Sequence, residues 1–203
     1  MACVAAFAAL SASPAAGSSP PVDKILLRAA QVGPGYALKL RPDSHCLQNC
    51  VTLDMCGFRF PSELLRTSRL QVNYVHKQPA VSVSNEVVTY RPRGARLALS
   101  EVTHAATHCP KGPVPSAING VGPLTYRITR LEDRRLLAQH LALRMFVSGK
   151  VRGKPFAATI CAVYQIRGNV LSGVYVQNRP AAKIKPTCLH AAEQSAANLE
   201  RWA

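Results

Sequence analysis

Two hydrophobic periods run along this chain, one repeating every second residue and one every third or fourth. The two-residue period is clearest over 66–76, where Leu70, Val72, Tyr74 and His76 point one way and Gln71, Asn73 and Val75 the other. That alternation predicts a half-buried strand. Residues 80–90 repeat it through Val81, Val83, Val87 and Val88, with a turn or bulge expected at Ser84-Asn85. Residues 124–130 alternate as well. Residues 156–166 and 170–177 predict a hairpin joined at Arg167-Gly168-Asn169, because Gly and Asn suit a tight turn. Shorter strands are expected at 24–29, 36–40 and 97–103, with a turn at Gly33-Pro34-Gly35.

The longer period appears twice. Leu131, Leu136, Leu137, His140, Leu141 and Met145 lie near one stripe and predict a helix over 131–146. Residues 188–202 lack Gly and Pro, carry Leu189, Ala192, Ala196 and Leu199 on a thin stripe, and have Thr187 as a candidate cap. The segments 41–57, 91–96 and 104–123 read as loops, the last holding four prolines. The pattern predicts an α+β fold: a single β-rich antiparallel domain with one internal helix and a C-terminal helix. It would occupy 24–203, after a disordered Ala/Ser/Pro tail at 1–23. Ala2–Leu10 is apolar like a signal core, but no Lys or Arg precedes it.

Charge sharpens this picture. The 203 residues hold 25 Lys/Arg against 10 Asp/Glu, a formal +15, beyond the ~2–8 of an ordinary soluble domain. Thirteen of the cations lie between Lys111 and Lys185, where Glu132 and Asp133 are the only acids. Such a field attracts polyanions or acidic proteins. Two clusters are the candidate polyanion-binding residues: Arg91, Arg93 and Arg96, and the alternating Lys150, Arg152 and Lys154. Neither is interleaved with aromatics, which favours phosphate or carboxylate contacts over base stacking. No apolar run reaches the ~18 residues of a membrane span.

Catalytic patterns are weak. There is no GxSxG and no phosphate-cradling GxxxxGK[ST], and Glu132-Asp133 are the only adjacent acids. His45, Cys46, Cys50 and Cys56 form the most metal-like group, but without a CxxC knuckle, so buried free cysteines are the expectation. His104 and His108 would share a face only on a helix, and are expected in a solvated loop. Seven cysteines in no secreted framework predict a reducing, intracellular setting. No enzyme activity, cofactor, metal or small-molecule substrate is expected.

Three blocks carry a resemblance. Ile25-Leu26-Leu27-Arg28-Ala29 followed by Val32, Pro34, Tyr36 and Leu38 is one. Leu131-Glu132-Asp133 before a basic residue is the second, and Gly173-Val174-Tyr175 followed by Thr187-Cys188 and an Ala-rich helix ending at Leu199 is the third. In order and content they resemble a small alphaherpesvirus protein family encoded at the right end of the unique long region, beside the multifunctional immediate-early regulator. The resemblance implies a virion tegument protein of the host nucleus, associated with the nuclear matrix and with virion assembly. It implies a structural, non-enzymatic role with viral or host proteins as partners, and no functional residues. The alternative is a general nucleic-acid-binding module with no viral role.

Overall fold

A computed structural model describes residues 20–40, 44–48, 50–77, 80–178 and 184–203. Seven strands form one sheet: β1 (Ala37–Leu38), β2 (Arg66–His76), β3 (Val81–Tyr90), β4 (Val121–Leu131), β5 (His140–Val151), β6 (Lys154–Arg167) and β7 (Val170–Asn178). Their spatial order is β1-β2-β3-β7-β6-β5-β4, and every neighbouring pair is antiparallel. The helices are α1 (Val22–Ile25), α2 (Ala29–Val32), α3 (Gly94–Thr107) and α4 (Ile184–Trp202), with a 3-10 turn at Pro61–Leu65. The α+β class, mostly β with a helix near the C-terminus, is therefore as the pattern predicts.

Alternation places a core on each side of the sheet. On one face α1, α2 and α4 cover Val83, Val87, Val163, Val174 and Val176. On the other, α3 and the loop Leu53–Phe60 cover Val88, Leu141, Leu143, Ala162 and Leu171. A line of buried polar groups stitches α4 to the strands. Gln165 accepts from Leu137 N (2.9 Å) and donates to Ala192 O (2.8 Å), Ser172 meets Ser195 at 2.7 Å, and Asn85 donates to Ser172 (2.9 Å). Asn198 near the end of α4 holds the opening of the chain, donating to Ile25 O at 3.1 Å and accepting from Gln31 at 3.0 Å.

Several expectations are corrected. Residues 131–146 are not a helix: β4 ends at Leu131, a loop follows, and His140 begins β5. Leu141, Leu143, Met145 and Val147 also fit a period of two, and all four are buried on the α3 face. Pairing with both β4 and β6 decides between the two periods. Conversely, 97–103 is helix. Ala95, Ala98, Val102 and Ala105 form its buried stripe, built from residues too small to stand out in the pattern. Arg96 therefore lies on α3 rather than in a loop, and so does His104. Residues 24–29 contain the end of α1 and the start of α2 instead of a strand. Ser84-Asn85 is neither turn nor bulge, since Ser84 pairs Asn73 and Asn85 pairs Val72 without a shift. α1 starts at Val22, and residues 1–19 of the expected tail lie outside the described residues. α4 starts at Ile184 with Pro186 in its first turn, where no backbone N–H is missed. Thr187 instead hydrogen-bonds Tyr36.

The cysteines are corrected too. All six cysteines among the described residues are paired, as Cys46–Cys50, Cys56–Cys109 and Cys161–Cys188. Two pairs join residues 53 and 27 positions apart, which spacing alone does not reveal. Disulfides persist in oxidising surroundings, so the reducing setting loses its support from cysteine usage.

Candidate polyanion-binding face

α4 lies over β6 and β7 and leaves the outer strands of its own face open. Register assigns that open surface. Arg127 of β4 stands opposite Phe146 of β5, Thr129 opposite Arg144, and Thr125 opposite Ser148. Arg144 in turn stands opposite Cys161, which is bonded to α4. Arg127, Arg144 and Lys150 therefore share one face, all exposed, with Phe146 half-buried among them. The Arg127 guanidinium lies 4.6 Å from the Phe146 ring centre, which fixes its direction by a cation–π contact. Around the edge of β4 a groove of about 400 Å³ is lined by Lys111, Thr125, Tyr126, Arg127, Phe146 and Ser148.

The hairpin carrying Lys150, Arg152 and Lys154 is a two-residue turn at Arg152-Gly153. Both residues have positive φ, 49° and 76°, as a type I′ turn requires. All three cations are exposed there. Gly149 just before it allows the bulged start of β4 to cross closely, since a Cβ would stand 2.8 Å from Leu124 Cδ2.

Arg91, Arg93 and Arg96 are also exposed, but the structure does not bring them to this site. They follow β3, whose last residue hydrogen-bonds the Gly168-Asn169 turn through Tyr90 N and Asn169 O at 2.9 Å. That turn and the Arg152-Gly153 turn are the opposite ends of β6. At ~3.3 Å per residue the two clusters are about 40 Å apart along the strand. Arg127, Arg144 and Lys111 stand outside the two clusters that the charge pattern picks out. Alternation in β4 could have found the first, but the helical reading of 131–146 separated Arg144 from Lys150.

The acids of this region are occupied elsewhere. Glu132 pairs with Arg130 at 3.3 Å, and Asp133 with Arg135 at 2.8 Å. Arg135 also reaches Glu193 of α4 at 3.2 Å. From Arg134 to Ala192 the sequence has no Asp or Glu. Among the described residues no ion pair involves Arg127, Arg144, Lys150, Arg152 or Lys154.

Hydrogen bonds from Arg135 hold the Asp133 carboxyl down to about 2 from its ordinary 3.8. The support this loop gives the fold is thus complete above pH ~4 and lost as pH falls through about 2. Titration followed by NMR should show the Asp133 midpoint near 2 and return it towards 3.8 in Arg135→Gln; an unmoved midpoint would contradict the contact.

The fold is one already seen. It is similar to the extracellular domain of PknH from Mycobacterium tuberculosis, with a TM-score of 0.57 and 13 % identity over 91 % of this chain and 100 % of that one. At that identity the likeness concerns the fold alone. No family model matches the sequence, and no curated protein does.

The other sequence candidates are now placed. Cys46 and Cys50 bond each other and Cys56 bonds Cys109, so none of them offers a thiolate beside His45. His104 on α3 and His108 at its C-terminal cap stack at 4.2 Å, with Phe58 edge-on to His104 at 5.3 Å. Cys109 beside them is committed to its disulfide. Among the described residues no helix is long and apolar enough to cross a membrane.

Proposed function

We propose that this protein is a non-enzymatic binding and assembly factor that engages polyanions or acidic proteins through the open face of β4 and β5. The observation that carries it is the row Arg127, Arg144 and Lys150, exposed, unpaired among the described residues and continuous with the Arg152-Gly153 hairpin. On this reading nucleic acid is contacted at its backbone, with Phe146 as a single stacking position. The Arg91, Arg93 and Arg96 cluster acts as a separate, weaker contact at the far end. The setting is the one the sequence resemblance implies: a virion tegument and nuclear-matrix-associated protein of a herpesvirus, working in the host nucleus during virion assembly. The alternative, a general nucleic-acid-binding module, shares the surface and differs in the partner.

The test is a salt titration of binding to duplex DNA and to a poly-glutamate peptide. Changing Arg127, Arg144 and Lys150 together to Glu should weaken binding at least tenfold. It should flatten the slope of log K against log salt by about 3 on duplex DNA, roughly one per lost contact. Changing Arg91, Arg93 and Arg96 instead should have the smaller effect. Equal affinity in the first variant and the parent would overturn the surface. Tighter binding to the peptide than to DNA at physiological salt would favour assembly with acidic proteins. Imaging of a tagged copy tests the location, which a purely cytoplasmic signal would refute.

A further inference from the structure

The opposite face of the sheet has a different character. Between Cys46, residues 50–52 and residues 117–119 lies a cavity of about 520 Å³, with Asp54, Arg69, Glu86, Tyr164 and Tyr175 among its lining. A second, apolar chamber of about 230 Å³ adjoins it and shares Asp54, Ile118, Tyr164 and Tyr175. Met145, Val147 and Ile160 line its deep end. Register places the two tyrosines. Gly173 of β7 stands between Glu86 of β3 and Tyr164 of β6, so the middle of the sheet has no side chain there. Tyr175 folds back over it, its hydroxyl 2.7 Å from where a Gly173 Cβ would be.

The lining specifies what fits. The Tyr175 hydroxyl is shielded from solvent and interacts with the Tyr164 side chain. Burial pushes both tyrosines well above the ordinary phenol range, so each is a neutral O–H. Arg69 and Glu86 neutralise each other. Asp54 is left, accepting from Ser116 Oγ (2.5 Å) and Ala117 N (3.1 Å). The cavity thus carries a formal negative excess in a chain of +15, which opposes an anionic head. A dry chamber of ~150 Å³ already accepts benzene, and this one is larger.

We infer that this cleft binds a small amphipathic molecule, an aromatic or short branched body in the apolar chamber with an amine or other non-anionic hydrogen-bonding head at Asp54. Nothing in the basic face depends on it, so either proposal can fail alone.

Two probes of one shape separate the charge: 2-phenylethylamine and 3-phenylpropionate, titrated into the full chain by NMR. Saturable shifts at Tyr164, Tyr175 and Met145 below about 1 mM amine are expected, with the carboxylate at least tenfold weaker. Ile160→Phe should fill the chamber and remove amine binding while the sheet's circular dichroism is kept. Asp54→Asn, which retains an acceptor for Ala117 N, serves if that variant does not fold. It should bring the amine and the carboxylate within threefold of each other. No saturation by the amine, equal affinity for both probes in the parent, or unchanged amine binding in the folded Ile160→Phe chain would each overturn the inference. So would an Asp54→Asn chain that still prefers the amine tenfold.

Discussion

Replacing Arg69 with Met should destabilise the protein by about 3–5 kcal/mol, because it strands a buried carboxylate. Arg69 sits on β2 and Glu86 on β3, with side chains 4 % and 3 % exposed. The guanidinium Nε donates to Glu86, its other nitrogens reach Gln71 (3.0 Å) and Ser44 O (3.4 Å), and the Thr52 hydroxyl donates to Glu86 at 3.0 Å. Without the arginine, the Thr52 hydroxyl is the hydrogen-bond donor that remains for the Glu86 charge among the described residues. Burial already raises the Glu86 carboxyl, against the pull of Arg69, and removing that pull raises it further. A folded pKa above the unfolded ~4.3 means the folded state holds the proton more tightly. The loss in Arg69→Met is therefore smallest below pH ~4 and grows as pH rises towards the new folded value. Adding Glu86→Gln should recover most of it and flatten the pH dependence. Denaturant melts of the four members of the cycle measure this. A single variant within 1 kcal/mol of the parent at pH 7 would contradict the buried pair.

Removing the Cys161–Cys188 bond by changing both residues to Ala should cost roughly 3–4 kcal/mol, as the chain-entropy relation gives for a loop of this length. The bond ties α4 to β6 across 27 positions, and both sulfur-bearing residues are fully buried. A matching loss should appear when the parent is unfolded under strong reductant. Cys46–Cys50, which closes a loop of only four positions at the surface, should open first and change stability least. Melting midpoints with and without reductant, for parent and double variant, check both statements; a double variant as stable as the oxidised parent would refute them. In a reducing nucleus the chain relies on its two cores alone, whereas an oxidising compartment adds this margin.

How legible this was in the sequence depended on whether one local rule decided each element. β2, β6 and β7 carry long alternating runs with clear turns, and their limits follow from the chain. β5 was hidden because Leu136, Leu137, His140 and Leu141 satisfy the helical period. The neighbours that make 140–151 a strand are supplied by β4 and β6. α3 was hidden for the opposite reason, since its buried stripe is mostly alanine. At the site, Lys150, Arg152 and Lys154 follow from the hairpin itself. Arg127 and Arg144 meet only through cross-strand register. The cleft on the other face was wholly illegible. Asp54, Glu86, Tyr164 and Tyr175 are far apart in sequence, and Gly173, which makes room for them, looks like any strand glycine.

The strand order has a consequence for biosynthesis. β3 lies inside the finished sheet, yet one of its neighbours is β7, which begins at Val170. At about 5–20 residues per second, a ribosome that has completed β3 needs roughly 4–16 s more to reach that partner. Throughout that interval the valine-rich edge of the β2–β3 ribbon hangs open on the nascent chain, a natural place for a chaperone to hold it.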